Sequence, residues 1–234
     1  MKVLVTRPVD DAAGFSDLLE LHGMTVALAP VMEIVPVDEA LPPMTGVSHL
    51  VFTSANGVRA FVAVSNGREW PAFVVGPSTA TEARRHGFRI AGVDKSTVES
   101  LARLISKEVA SPACLLHVAG SHRAGNLGAL LAASDVKVKR VVLYEARPVA
   151  ALQETVRQQF QNGEIDAVTL FSPRSARLFM DLIERAGLEK YTDLVVFACL
   201  SQAVADALPT GLSKCVAERP EQSAMIDILK SART

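Results

Sequence analysis

The sequence predicts an α/β protein of two similar lobes, each built on a parallel sheet. Three observations predict it. One pattern is written twice: VLVTRPVDDAAGFSDLL (3–19) recurs 112 residues later as LLHVAGSHRAGNLGALL (115–131). PVMEIVP, ending at Pro36, recurs at the same shift as RVVLYEARP, ending at Pro148. Further on, VFTSANGVRAF (51–61) is answered by TLFSPRSARLF (169–179), and VVGPSTATEA (74–83) by ACLSQAVADA (198–207). The second observation is that short apolar runs alternate with helical patterns, the mark of βαβ units. The third is size. A chain of 234 residues, 49% hydrophobic, suits two domains of roughly 110 residues, each with its own core.

The elements follow in order. Val3–Thr6 reads as a buried parallel strand. Phe15, Leu18, Leu19 and His22 then share a helical face, and Gly23 sits where a C-cap glycine belongs. His49–Thr53 is the next strand, followed by a helix carrying Val58, Phe61 and Val62. After the strand Ala72–Val75, Thr79-x-x-Glu82 reads as a capping box, with Gly87 closing that helix. Ser96-x-x-Glu99 reads as a second capping box, before Leu101, Leu104 and Ile105. Cys114–Val118 opens the second copy. Asp166–Phe171, Asp193–Ala198 and Lys214–Ala217 are the later strands. Between and after them run helices carrying Leu178, Leu182 and Ile183, then Val204 and Leu208, then Met225, Ile228 and Leu229.

Two segments break the rhythm. Val31–Val37 and Val141–Ala146 are extended, partly charged and flanked by prolines. They read as connectors between lobes, not core strands. The chain then crosses twice: residues 1–33 plus 150–234 form lobe 1, residues 38–139 form lobe 2, and 34–37 and 140–149 join them.

Composition excludes several classes. The formal net charge of −1 offers no basic field for nucleic acid. No stretch approaches the length of a membrane span. MKVLVTRP carries too short an apolar run for a signal peptide, and the three cysteines form no CxxC pair. A cytoplasmic protein with reduced thiols, no membrane association and no nucleic-acid partner is expected. The five histidines lack metal-ligand spacing. No GxGxxG, Walker lysine or GxSxG elbow is present, so no nucleotide or metal cofactor is expected.

The informative polar residues sit just past strand ends, where ligands bind in open parallel sheets. They are Thr6 and Arg7; Thr53, Ser54 and Asn56; Gly76, Ser78 and Thr79; Ser121 and Arg123; Ser172, Arg174 and Ser175; and Ser201 and Gln202. Helix starts there offer free N–H groups and partial positive charge to an anion. Each serine or threonine taken alone also reads as an ordinary N-cap. The arginines read either as carboxylate forks or as solvated surface groups. Tyr144 lies in a connector segment. Its hydroxyl reads as a weak acid or positioning donor, and its ring reads equally as packing. Asp10 and Asp11 suit a helix N-terminus.

LVTRP, FTSANGV (52–58), VGPSTA (75–80), the tyrosine in VVLYEARP (141–148), FSPRSA (171–176) and AERPEQSAMIDIL (217–229) stand in one order along the chain. In that order and spacing the sequence resembles the uroporphyrinogen-III synthases. The resemblance implies two flavodoxin-like lobes joined by a two-stranded β connector, with a cleft between them. It implies a lyase of heme biosynthesis that closes the linear tetrapyrrole hydroxymethylbilane, with loss of water and inversion of ring D. It implies a small-molecule polycarboxylate substrate, no cofactor, and a catalytic role for Tyr144; a monomer is the default expectation. One departure stands out. Where the family's second copy often reads G-P-x-T-A, this chain has Ser201-Gln202-Ala203-Val204-Ala205, so Val204 replaces the threonine. The rivals are a two-lobed binding or regulatory protein without catalysis, and a flavin or nucleotide enzyme; the latter sits poorly with 5% aromatic content.

Overall fold

A computed structural model describes residues 1–94, 97–122 and 125–232. The elements in chain order are β1 (Lys2–Val5), α1 (Val9–Leu21), β2 (Thr25–Leu28), β3 (Met32–Pro36), β4 (His49–Phe52) and α2 (Ala55–Val64). There follow β5 (Ala72–Val75), α3 (Pro77–Arg85), β6 (Ile90–Asp94), α4 (Val98–Glu108), β7 (Ala113–Gly120), α5 (Leu127–Leu131) and β8 (Val136–Pro148). The chain ends with α6 (Glu154–Gln161), β9 (Ala167–Leu170), α7 (Pro173–Ala186), β10 (Val196–Cys199), α8 (Gln202–Asp206), β11 (Lys214–Val216) and α9 (Gln222–Ser231). Two compact units result: Met1–Glu33 with Arg147–Thr234, and Ile34–Ala146.

The first unit holds a parallel sheet in the order β11-β10-β9-β1-β2. Its central strands β1, β9 and β10 are apolar on both faces. Leu4, Val168 and Phe197 pack beneath Phe160 and Phe179, while Val3, Val5, Ala167 and Ala198 pack against Phe15 and Met225. Burial on both faces is why these strands read as unbroken apolar runs.

The second unit holds the sheet β3-β8-β7-β4-β5-β6. Leu50, Phe52, Leu116 and Val118 face Val58 and Phe61 of α2; Val51, Phe73 and Leu115 face Leu101 and Ile105 of α4. Each wholly buried Phe or Leu contributes about 1.5–3 kcal/mol by leaving water.

The two sheets share one order under the sequence repeat. β7, β8, β4, β5 and β6 stand where β1, β2, β9, β10 and β11 stand, and the second unit begins its chain at a different strand. Each sheet therefore reverses strand order once, between β1 and β9 and between β7 and β4. Those reversals are the switch points where open α/β sheets take ligands.

Several expectations need correction. Val141–Ala146 ends where the chain passes from one unit to the other, yet it is also core strand. It lies within β8, whose Val136–Tyr144 stretch pairs in parallel with β7, and Val141 and Leu143 are buried. Lys137, Lys139 and Arg140 disguised the first half of that strand. The Thr79–Glu82 capping box does not form. Gly76 is the N-cap at φ 83°, Pro77 opens the helix with its φ already set, and Thr79 lies inside at 3% exposure. The second box is shifted by one residue: Thr97 caps α4 and exchanges hydrogen bonds with Ser100, which also bonds Asp94; Ser96 lies outside the described residues. His22 is the exposed C-cap of α1, not part of its buried face. The repeat slips by one residue near its end. The N-caps Gly76 and Ser201, and the buried Thr79 and Val204, correspond at a shift of 125, one more than the alignment of VVGPSTATEA with ACLSQAVADA.

Candidate functional site

In the second unit the polar turns gather at the β7–β4 switch point. β4 ends at Phe52, and Thr53 and Ser54 lead into α2. Ser54 is extended (φ −158°) and caps the helix: its Oγ accepts the Gly57 N–H at 3.1 Å. The same Oγ lies 2.7 Å from the hydroxyl of Tyr144 on β8. A serine at a positive helix end thus meets a phenol.

A bulge brings Tyr144 there. From Ala113 to Ala119 each residue of β7 pairs its successive partner on β8, but Ala119 faces Val142 and Gly120 faces Tyr144, leaving Leu143 as the extra residue. Bulges often re-aim a side chain beside a functional site. The Ser121 N–H donates to the Tyr144 carbonyl at 3.0 Å, and the Arg140 guanidinium donates to the Gly120 carbonyl at 2.6 Å.

Beneath this group lies His117, 7% exposed. Burial, reinforced by the Arg140 charge, pushes its imidazole down to about 4, so it is neutral near pH 7. Its Nε2 is 3.4 Å from Thr53 Oγ1, a long contact. Asn56 Oδ1 accepts from Arg59 at 2.7 Å, and Arg59 also faces Glu82 at 3.5 Å, so Arg59, steadied by Asn56, ties α2 to α3. On the neighbouring strand β5, Gly76 donates its N–H to the Asp94 carbonyl at 2.7 Å, and its left-handed φ suits glycine. Ser78 and Ser121 are exposed, whereas Thr79 is buried. Arg123 lies outside the described residues.

The first unit has its own turns at the β1–β9 switch point. Thr6 is 1% exposed and its hydroxyl donates to the Thr169 carbonyl at 2.7 Å, so it faces protein. Arg7 stacks its guanidinium over Phe171 at 4.7 Å. Ser172 caps α7 in a reciprocal capping box with Ser175, and Arg174 is half-buried in the same turn. Ser201 caps α8 without a side-chain bond, and Gln202 bonds Asp206 at 2.8 Å. Val204 is 1% exposed and packs in the core. The residue 112 positions before Tyr144 is Met32, so the phenol has no counterpart in the first unit.

Sequence reasoning took Gly120 only as the first residue of a turn, left out Arg140 and gave little weight to His117. A buried histidine in an apolar strand run was the one readable signal among these. Among the described residues no group of three or more His, Cys, Asp or Glu is arranged to hold a metal ion, and no helix is long and apolar enough to cross a membrane.

Comparison with known proteins follows the same lines. The family model described as uroporphyrinogen-III synthase HemD matches residues 13–227. The chain is 28% identical over 220 residues to a uroporphyrinogen-III synthase of Chlorobaculum parvum, covering 88% of this chain and 87% of that one. It is 24% identical to a porphyrin biosynthesis protein HemD of Ruminiclostridium josui, covering 97% of this chain and 48% of that longer protein. Among solved structures, uroporphyrinogen-III synthetase of Helicobacter pylori aligns with a TM-score of 0.68 at 16% identity, covering 98% of both chains. A mutant uroporphyrinogen III synthase of Thermus thermophilus aligns with a TM-score of 0.58 at 18% identity, covering 100% and 98%. At these identities the structures speak for the fold.

Proposed function

The chain belongs to the uroporphyrinogen-III synthase family and works as a lyase in tetrapyrrole biosynthesis, and on that premise we propose that Tyr144 is its general acid. The substrate is hydroxymethylbilane, a linear polycarboxylate. Its hydroxymethyl C–O bond breaks, Tyr144 gives its phenolic proton to the departing hydroxide, and water leaves. The azafulvene cation that remains is attacked by the substituted carbon of ring D, giving a spiro-pyrrolenine. That intermediate fragments and recloses with ring D inverted. The proton lost when the pyrrole regains aromaticity returns to the tyrosinate, so the enzyme ends unchanged.

The observation that carries this reading is the 2.7 Å contact between Tyr144 and Ser54 at the start of α2. Partial positive charge at that helix end stabilises a developing tyrosinate. The remaining task is to bind and orient a flexible polyanion. The proposed donors are Thr53, Ser54, Asn56, Gly76, Ser78 and Ser121 in one unit, and Arg7, Ser172, Arg174, Ser175 and Ser201 in the other. Helix starts at α2, α3 and α7 supply N–H groups without a basic protein. Thr6 and Thr79, at 1% and 3% exposure, are the most deeply buried of the candidates and are left out. The further reading is a cytoplasmic monomer. It is supported by three free cysteines and by exposed large apolar residues that are scattered along the chain, among them Leu21, Val64 and Leu194.

Tyr144→Phe tests the acid role. The variant is expected to bind substrate with little change in KM and to turn over roughly 10²-fold more slowly. An unchanged kcat would refute the assignment.

A further inference from the structure

We propose that Gly120 is a positioning residue for Tyr144: its missing side chain leaves the space that the tyrosine ring occupies. This rests on the reading of Tyr144 as the acid. Eight other glycines have positive φ, which accounts for them by backbone geometry; Gly120 is not among them. Its backbone suits any residue, so the requirement lies in what surrounds it. A Cβ there would stand 2.8 Å from Tyr144 Cζ, 2.9 Å from Cε2 and 3.1 Å from the hydroxyl oxygen. No carbon tolerates the first two distances.

The mobile partner in that clash is the far end of the tyrosine. The Gly120 backbone is held twice from β8, by strand pairing and by Arg140 on its carbonyl at 2.6 Å. An added methyl therefore displaces the phenol, and the 2.7 Å contact with Ser54 is what gives way. A second glycine works from the opposite side. Gly57, in the first turn of α2, has its Cβ position 3.1 Å from the Val118 carbonyl of β7. Its bare Cα lets the helix start sit close to β7, and its N–H holds Ser54 Oγ. The two glycines thus fix both ends of the serine–phenol pair, which a misplacement of about 1 Å would uncouple.

The test is a double-mutant cycle on the full chain, with kcat and KM for hydroxymethylbilane and ring-proton NMR of the two tyrosines. Gly120→Ala is expected to keep its folding transition and to hold KM within about twofold, while kcat falls roughly tenfold or more. The Tyr144 ring signals should move and those of Tyr191 should not. In a Tyr144→Phe background the same change should cost kcat little further, because the group it displaces is gone. An equal kcat loss in both backgrounds, or unmoved Tyr144 signals, overturns the positioning role. An unchanged kcat in Tyr144→Phe alone overturns the acid assignment instead. Should Gly120→Ala not fold, Arg140→Gln frees the Gly120 carbonyl and serves in its place. A loss confined to kcat and absent from the Tyr144→Phe background supports the proposal, and any other pattern overturns it.

Discussion

The Tyr144 hydroxyl and Ser54 Oγ, 90 residues apart in the chain, lie 2.7 Å from each other at the start of α2. Ser54 has two duties there, as N-cap and as partner of the phenol. Its counterpart Ser172 has the capping duty and answers to Ser175.

The two duties separate on substitution. Glycine is nearly as good an N-cap as serine, costing a few tenths of a kcal/mol, but it carries no hydroxyl. Ser54→Gly should therefore leave urea stability almost unchanged and lower kcat several-fold. Ser54→Ala should lower kcat similarly and also cost about 1 kcal/mol. A Ser54→Gly enzyme with native kcat would show that the phenol works without its neighbour.

His117 gives the protein an acid-sensitive limb. Its pKa falls from 6.5 in the unfolded chain to about 4 in the folded one. Above pH 6.5 neither state holds the proton and stability is full. As pH drops through 6.5 the unfolded chain takes up a proton that the folded chain refuses, and stability is lost until about pH 4. His49, lowered by burial and by Arg89, acts in the same direction. Between pH 7 and 4.5 the His117 contribution is about 2–3 kcal/mol. Urea melts of wild type and His117→Gln at both pH values check this: the variant should lose less on acidification. Equal losses would mean His117 is not buried neutral.

The cysteines should differ in reactivity. Burial pushes Cys199 up to about 12 and raises Cys215, while Cys114 is half-buried in β7. Thiolate is the reactive form. At pH 8 a disulfide reagent should label Cys114 first in the native protein and all three in urea, with mass spectrometry locating the adducts. Rapid native labelling of Cys199 would contradict its placement.

Much of this was legible in the chain. The duplicated pattern pointed to two units, and apolar runs at Val3, Leu50, Leu115 and Val168 marked strands buried on both faces. Gly23 and Gly87 marked helix ends, and both have positive φ. What escaped lay below the reach of periodicity. Val141–Tyr144 looked like a connector because charged residues precede it and a proline follows, yet sheet pairing decided its place. Pro77 moved a helix start two residues ahead of the apparent capping box. Thr6 looked like a ligand donor, but its hydroxyl turns to the adjacent strand. The single-residue bulge that sets Tyr144 against Gly120 leaves no compositional trace, and neither does a glycine kept for space alone.

Product isomer composition is the decisive measurement. Given hydroxymethylbilane, the purified chain should yield the type III macrocycle with ring D inverted, and Tyr144→Phe should yield the same isomer more slowly. If the product is the type I macrocycle that forms without enzyme, in the proportion set by water alone, the chain does not direct the closure and the account fails.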